Sequence, residues 1–122
     1  MARILIIDDS PTETHYVTGI LTKHGHEVSN ADSAERGLSM VRSDHPDLVL
    51  MDIVMPGLNG FQATRQLTRD PETADIPIII LTTKNQETDR VWGQRQGAKD
   101  YLTKPVDEKV LIATVNKALA GD

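Results

Sequence analysis

The sequence predicts an α/β fold: an open, doubly wound parallel sheet with helices on both faces. Short apolar runs alternate along the chain with longer segments of helical period, so strands and helices are expected to alternate. Three of the runs, at residues 4–7, 48–51 and 78–81, are apolar throughout, which is typical of parallel strands covered on both faces. These three strands are therefore expected in the centre of the sheet.

The composition suits one globular domain spanning residues 1–122. The 122 residues are 39% hydrophobic, and their net charge of -5 argues against binding to nucleic acid phosphates or to an anionic membrane. The chain contains no Cys, which excludes thiolate nucleophiles and sulfur-ligated zinc. No apolar run is long enough to cross a bilayer and no signal peptide is evident, so we expect a cytoplasmic protein, most simply a monomer.

The strand at 4–7 is followed by a clear helix start. Ser10 offers an N-cap hydroxyl, Pro11 suits the first helical position, and Glu13 can reach back to the cap. An apolar face at helical spacing follows and ends at Gly25. A second strand is expected at 27–31, followed by a second helix with Asp32 and Glu35 as its capping pair.

The second half of the chain repeats this alternation. The strand at 48–51 precedes a third helix capped by Asn59, and we interpret Gly57 and Gly60 as turn residues. After the strand at 78–81, a fourth helix within 85–96 has few large apolar residues, so weak packing and mobility are expected. A short strand at 101–102 precedes a last helix, which opens at Asp107.

Five strands alternating with five helices through right-handed crossovers favour the flavodoxin-like strand order 2-1-3-4-5. In such sheets ligands bind beyond the carboxyl ends of the strands. The first strand is followed there by Asp8 and Asp9, the third by Asp52, the fourth by Thr82 and the fifth by Lys104.

This arrangement predicts a site for a cation and a phosphoryl group. Carboxylates that converge repel one another, so they either raise a pKa or hold a cation, and an all-oxygen set suits Mg²⁺. Thr82 and Lys104 add a hydroxyl and an ammonium for phosphoryl oxygens. A carboxylate can accept a phosphoryl group, and Asp52 is the best candidate because it is the lone acid on the central strand.

Four segments carry a family resemblance: ILIIDDS at 4–10, LVLMDIVMPGLNG at 48–60, ILTT at 80–83 and DYLTKP at 100–105. Together and in this order they resemble the receiver domain of two-component response regulators, in its single-domain chemotaxis-regulator form. The resemblance spans essentially the whole chain. The stretches 51–67 and 86–98 are most similar to stand-alone receivers that regulate type IV pilus twitching motility.

The resemblance implies that a histidine kinase phosphorylates Asp52. It also implies that Asp9, Asp52 and the backbone carbonyl of Val54 bind Mg²⁺ directly, and that Asp8 acts through water. The output would be a contact with a motility or pilus-associated protein, or drainage of phosphate from a shared kinase without a downstream target.

The resemblance further assigns three residues to the switch. Thr82 would hydrogen-bond the phosphoryl group, Lys104 would contact it, and Tyr101 would change orientation. It also suggests a cis peptide bond between Lys104 and Pro105. Two positions, Val54 and Thr83, depart from the commonest family pattern, and Val54 has no polar side chain to position a hydrolytic water.

A partner surface is expected across the fourth helix, the fifth strand and the fifth helix, where Trp92, Arg95 and Lys99 belong to a mixed patch. Two other functions are compatible with a fold of this class, but each needs residues that differ from those present. A flavin-binding protein would need a phosphate-binding loop where the acid pair stands, and more aromatic residues than 3% of the chain. A phosphohydrolase with an aspartyl intermediate would need a second acid two residues after Asp52, where Val54 stands.

Overall fold

The structure, a computed structural model, describes residues 1–121, in which five strands and five helices alternate. The strands are β1 (Arg3–Ile7), β2 (Glu27–Ala31), β3 (Leu48–Met51), β4 (Ile78–Thr82) and β5 (Asp100–Thr103). The helices are α1 (Pro11–Lys23), α2 (Ala34–Asp44), α3 (Gly60–Arg69), α4 (Glu87–Arg95) and α5 (Glu108–Leu119). None of the helices in residues 1–121 combines the length and the apolar character needed to span a bilayer.

The strands form one parallel sheet in the order β2-β1-β3-β4-β5, which confirms the predicted fold class and strand order. Every residue of β3 and β4 is buried, as expected for central strands. The edge strand β2 buries only Ala31 fully. Ile7 at the end of β1 pairs with Met51 at the end of β3, so the residues that follow the two strands lie at the same edge of the sheet.

Alternate side chains of the central strands supply two apolar layers. Ile4 and Ile6 pack with α1 and α5 on one face, whereas Leu5 and Ile7 pack with α2 and α3 on the other. Each fully buried aliphatic side chain contributes about 1.5–3 kcal/mol relative to an exposed one. This burial holds the strand ends, and the polar residues that follow them, in fixed relative positions.

Most of the predicted helix starts are confirmed. The Ser10 hydroxyl caps α1, Asn59 forms a capping box with Gln62 at α3, and Asp107 caps α5. The predicted cap of α2 was wrong by one residue. Ser33 accepts the hydrogen bond from the Arg36 N–H at 3.1 Å, because its backbone is the extended residue next to the helix.

Helix α4 has the weak core contact that its sequence predicts. Gly93 is its only buried residue, and Val91 and Trp92 are 44% and 48% exposed. The fifth strand is longer than expected, since Asp100 and Thr103 pair with Ile79 and Thr82 of β4. α4 therefore lies against β5 with little apolar surface between them.

His26 ties the amino end of the chain to the loop before β2 and should make stability depend on pH. Its Nδ1 accepts a hydrogen bond from the Ala2 N–H at 3.1 Å, which requires an unprotonated nitrogen. Burial lowers the pKa of His26, and the positive N-terminus and His24 lower it further. The contribution of His26 to the free energy of unfolding is thus fully present above the pKa of about 6.5 that His has in the unfolded chain. It is lost as the pH falls through the lower pKa that His26 has in the folded protein.

We expect the wild type to lose more unfolding free energy between pH 7.5 and pH 5 than His26→Gln does. The Gln amide oxygen can still accept from Ala2, but it does not titrate in this range. Urea denaturation at a series of pH values measures the difference. Parallel pH profiles for the two proteins would contradict this prediction.

Candidate functional site

A cluster of three carboxylates lies at the carboxyl ends of β1 and β3. Asp8 and Asp9 follow β1 and Asp52 follows β3, where the Asp52 N–H donates to the Ile7 carbonyl at 2.9 Å. One carboxylate oxygen from each of the three residues lies within 4.8 Å of the others. Asp8 and Asp52 are buried and Asp9 is exposed, so the cluster opens to solvent on the Asp9 side.

Lys104 inserts its ammonium into this carboxylate cluster. Its Nζ lies 2.7 Å from Asp8 Oδ2 and 3.3 Å from Asp52 Oδ2, and its side chain is only 5% exposed. The Lys104 N–H donates to the Thr82 carbonyl at 2.7 Å, which extends the β4–β5 pairing by one hydrogen bond. The Lys104–Pro105 peptide bond is cis, as the family resemblance implies.

Burial and charge compete for the protonation of these groups. Burial raises the pKa of Asp8, and hydrogen bonds from Lys104 and from the Ser10 N–H offset only part of that rise. Burial lowers the pKa of Lys104, but its hydrogen bond to Asp8 and the charges of both carboxylates outweigh burial and raise it overall. The ammonium therefore stays protonated and compensates charge that would otherwise be buried unpaired.

The donor set fits a small, hard divalent cation. It consists only of carboxylate oxygens within reach of one another, and Asp9 leaves an open side on which water can complete the coordination. Mg²⁺ usually keeps several waters and needs only one or two carboxylates from the protein. The three aspartates could therefore hold Mg²⁺ if the Lys104 ammonium gave up part of its contact with them.

The loop between β3 and α3 fixes the position of Asp52. The Val54 N–H donates to Asp52 Oδ1 at 3.0 Å, while the Val54 side chain is 47% exposed. Glu35 on α2 accepts a hydrogen bond from the Leu58 N–H at 3.2 Å and holds the loop from outside. This contact joins residues 23 positions apart in different elements, so no local pattern in the sequence predicts it.

Glycine is required at positions 57 and 60 for two different physical reasons. Gly57 has φ +77, so it is a turn residue as expected. The same interpretation is wrong for Gly60, which is the first residue of α3. A Cβ on Gly60 would lie 2.2 Å from the Asp52 carbonyl oxygen, so the requirement at this position is the close approach of two backbones.

Thr82 is fully buried beside this site but faces the loop after β4. Its Oγ1 accepts a hydrogen bond from the Lys84 N–H at 3.4 Å. Within residues 1–121 the Thr82 hydroxyl makes no hydrogen bond to the side chains of Asp52 or Lys104. The structure thus joins the Thr82 backbone to that of Lys104 but does not join the Thr82 hydroxyl to the carboxylates.

Tyr101 lies outside the carboxylate cluster, in a small apolar group with Ile53 and Ile80. Although β5 is an edge strand, Tyr101 is only 5% exposed, and its hydroxyl donates to the Lys84 carbonyl at 2.7 Å. Burial and the nearby charge of Asp89 raise the pKa of Tyr101 to about 12. The guanidinium of Arg90 lies 5.1 Å from the centre of the ring, a contact that sequence reasoning missed.

The three residues of the predicted partner surface lie in two separate places in the structure. Trp92 and Arg95 are exposed three residues apart on α4, which places them on one helix face. Lys99 lies at the amino end of β5, where its N–H donates to the Ile78 carbonyl at 2.8 Å. Its side chain lines a groove at the opposite end of the sheet from the carboxylate cluster.

Comparisons with known proteins agree with this geometry. Residues 4–116 match the family described as response regulator receiver domain. Protein PilH of Pseudomonas aeruginosa is 66% identical over 121 residues, which cover 99% of this chain and 100% of PilH. Response regulator PleD of Caulobacter vibrioides is 40% identical over 114 residues, but these cover only 25% of PleD and 93% of this chain.

Solved structures show the same fold. A putative response regulator from Chloroflexus aurantiacus superposes with a TM-score of 0.94 at 31% identity, covering 98% of both chains. The chemotaxis protein CheY4 of Vibrio cholerae superposes with a TM-score of 0.89 at 27% identity, covering 96% of this chain and 98% of CheY4.

Proposed function

This chain belongs to the family of response regulator receiver domains, and from that membership we propose that it accepts a phosphoryl group on Asp52 from the phosphohistidine of a histidine kinase. The observation that carries the proposal is the placement of Asp52. Its carboxylate lies beside Asp8 and Asp9, which could share a cation with it, and 3.3 Å from the Lys104 ammonium. Phosphoryl transfer requires mainly this kind of positioning and charge neutralisation.

In the proposed reaction an oxygen of the Asp52 carboxylate attacks the phosphorus atom. The new O–P bond forms as the N–P bond of the phosphohistidine breaks, and the electron pair stays on the imidazole nitrogen, which takes up a proton. Asp9, Asp52 and the Val54 carbonyl, with Asp8 acting through water, are the groups that would hold Mg²⁺, and a bound cation would supply charge neutralisation for the phosphoryl oxygens. The Lys104 ammonium would move from the carboxylates toward the same oxygens.

The phosphoryl group would also change the contacts of Thr82. When its hydroxyl turns toward a phosphoryl oxygen, the Lys84 N–H loses its acceptor, and the loop that also holds the Tyr101 hydroxyl is free to move. α4 follows this loop and buries only Gly93, so its displacement breaks little apolar contact. The chain would thus act as a signalling switch and not as an enzyme that turns over a free substrate.

The exposed face of α4 around Trp92 and Arg95 is the proposed partner surface. Aromatic and Arg side chains often anchor interfaces between proteins. The 66% identity to PilH, together with the resemblance to stand-alone twitching-motility receivers, supports a role in pilus-based motility with a motility or pilus-associated target. Loss of binding to that target in Trp92→Ala, with phosphorylation intact, would distinguish this role from a phosphate sink.

Acetyl phosphate with Mg²⁺ tests phosphoryl acceptance directly. We expect one base-labile, hydroxylamine-sensitive adduct on the peptide that contains Asp52, and none in Asp52→Asn. Asp44→Asn is the matched control, because Asp44 is an exposed acid at the end of α2. An adduct that persists in Asp52→Asn, or none in the wild type, would remove the proposal. Purified histidine kinases then identify the phosphodonor.

The Val54 side chain is expected to slow hydrolysis of the phosphorylated form. It is 47% exposed beside Asp52 and has no group that could hydrogen-bond an attacking water. Val54→Asn should therefore shorten the lifetime of the phosphoryl adduct by roughly tenfold, less than the hundredfold or more of a general base, because an amide orients the water without taking its proton. Decay of the isolated phosphoprotein measures this effect, and an unchanged rate would contradict it.

A further inference from the structure

One side chain of α2 holds the loop between β3 and α3 from outside. Glu35 Oε2 accepts a hydrogen bond from the Leu58 N–H at 3.2 Å. A Cβ built on Gly57 would lie 3.2 Å from the same oxygen, so the carboxylate lies directly against the turn of the loop. Within residues 1–121 no other helix or strand supplies a side chain that hydrogen-bonds residues 53–58.

This contact replaces the hydrogen bond that often closes a turn of this kind. Pro56 restricts its own φ and Gly57 has φ +77, which is the pair that a type II turn favours at its two central positions. The Leu58 N–H would close such a turn by donating to the Met55 carbonyl, but here it donates to Glu35. The turn therefore takes from α2 the acceptor that its own backbone does not supply.

The turn directly follows Val54, whose backbone belongs to the Asp52 site. The Val54 N–H donates to Asp52 Oδ1 at 3.0 Å, and the Val54 carbonyl is one of the groups that would hold Mg²⁺. Within residues 1–121 the backbone of residues 54–58 makes no hydrogen bond to other backbone groups. The direction of the Val54 carbonyl therefore depends on how this short segment is held at its two ends, by Asp52 and by Glu35.

We propose that Glu35 is a positioning residue for Mg²⁺, which holds the turn at Leu58 and thereby keeps the Val54 carbonyl directed toward the cation. This inference rests on the proposed function and adds to it a residue outside the ligand set. Glu35 acts through the loop and not as a ligand. A contact that orients a ligand before the metal binds reduces the ordering that binding has to supply.

The loop has other anchors that would remain without Glu35. The Met55 side chain is buried in the apolar cluster on the α2 and α3 face of the sheet, and Leu58 packs against that cluster. Glu35 is exposed, and α2 keeps its cap at Ser33. Truncating Glu35 should therefore preserve the fold, while the backbone between the two apolar anchors gains freedom.

Mg²⁺ titration of three variants tests the inference. In Glu35→Ala we expect the dissociation constant for Mg²⁺, followed through the amide resonances of Asp9 and Val54, to rise roughly tenfold, the lower end for losing a group that orients a metal ligand. Glu35→Gln should stay close to the wild type, because its amide oxygen can still accept from the Leu58 N–H. Glu72→Gln should match the wild type, because Glu72 is exposed after α3 and its side chain makes no hydrogen bond or ion pair within residues 1–121.

The Gln variant separates the position of the loop from the charge of Glu35. Losing a negative charge near the site would itself weaken binding of a cation. A purely electrostatic role of Glu35 would therefore weaken Mg²⁺ binding equally in Glu35→Gln and Glu35→Ala. The positioning role predicts a loss in Glu35→Ala alone.

Hydrogen exchange without Mg²⁺ provides a second measurement. The Leu58 amide should exchange several times faster in Glu35→Ala than in Glu35→Gln, which lacks the same charge but keeps an acceptor. The Val49 amide, which donates to the Pro77 carbonyl at 3.0 Å inside the sheet, reports any general loss of stability. Faster exchange at Leu58 with unchanged exchange at Val49 would show that the loop alone has loosened.

The possible failures are distinguishable. Mg²⁺ binding that is unchanged in Glu35→Ala, or weakened equally in Glu35→Gln, would overturn the positioning role. Faster exchange at Leu58 with an unchanged Mg²⁺ affinity would overturn it too, since the contact would then be merely structural. A wild type that binds Mg²⁺ but forms no adduct at Asp52 with acetyl phosphate would overturn the proposed function alone. A wild type that binds no Mg²⁺ would overturn both.

Discussion

Replacing Lys104 by Met is expected to lower the free energy of unfolding by about 3 kcal/mol at pH 7 when divalent cations are chelated. The Lys104 ammonium lies 2.7 Å from Asp8 and 3.3 Å from Asp52, and all three side chains are less than a tenth exposed. Met fills a similar volume, so the change removes a charge without opening a large cavity. Two buried carboxylates would then face each other with no cation between them.

The loss of unfolding free energy in Lys104→Met should depend on both Mg²⁺ and pH. Mg²⁺ should restore most of the lost stability, because a bound cation replaces the missing ammonium and no longer competes with it. Without Lys104, burial and repulsion would raise the folded pKa of Asp8 further above its unfolded value. Since an acid with a raised folded pKa favours folding when protonated, the deficit should shrink as the pH falls from 7 to 5.

Urea denaturation in chelator and in Mg²⁺ measures this prediction. Lys117→Met is the matched control, because Lys117 is exposed on α5 and has no ion pair within residues 1–121. Phosphoryl transfer to Asp52 should fall strongly in Lys104→Met even where Mg²⁺ restores folding, since no ammonium remains for the phosphoryl oxygens. A variant that Mg²⁺ stabilises no more than the wild type would refute this account of the cluster.

Gly60→Ala is expected to cost about 3 kcal/mol of unfolding free energy, at the upper end for overpacking a tight contact. The new Cβ would lie 2.2 Å from the Asp52 carbonyl oxygen and 2.7 Å from Ile53 Cα. Both are backbone atoms that cannot rotate away, so α3 and the end of β3 must separate. The displacement would move Asp52 itself, and the affinity for Mg²⁺ should fall together with stability.

Gly19→Ala is the control for the intrinsic effect of the substitution. Gly19 lies in α1, where an added Cβ meets nothing within 4 Å, and it should gain up to about 1 kcal/mol from the helix preference of Ala. Thermal unfolding and Mg²⁺ titration compare both variants with the wild type. A Gly60→Ala protein as stable as the wild type would show that the two backbones can move apart without cost.

Local signals predicted most of the architecture. The apolar runs of β3 and β4 are buried on both faces, and the predicted caps Ser10 and Asn59 hold their helices. The cap of α2 was misplaced because Asp32 and Ser33 are both good cap residues. The choice between them depends on where the chain leaves β2 in three dimensions, which no pattern along the sequence records.

For the candidate site too, some features could be predicted from the sequence and others could not. The residues that follow parallel strands must meet at one edge, so the convergence of Asp8, Asp9 and Asp52 could be predicted from strand positions alone. The sequence could not predict that Lys104 lies between Asp8 and Asp52 in this arrangement. Nor could it predict that Tyr101 is almost fully buried against the loop after β4.

By itself, therefore, the sequence determined which segments are strands, in what order they lie, and which polar side chains reach the functional edge. Only the tertiary structure decided the contacts of Lys104, the cover that Arg90 gives to Tyr101, and the backbone contact at Gly60. Strand and helix formation depend on neighbouring residues and on burial, which leave a pattern along the chain. These other contacts join different elements at distances set by how helices and loops pack, and packing leaves no local pattern to read.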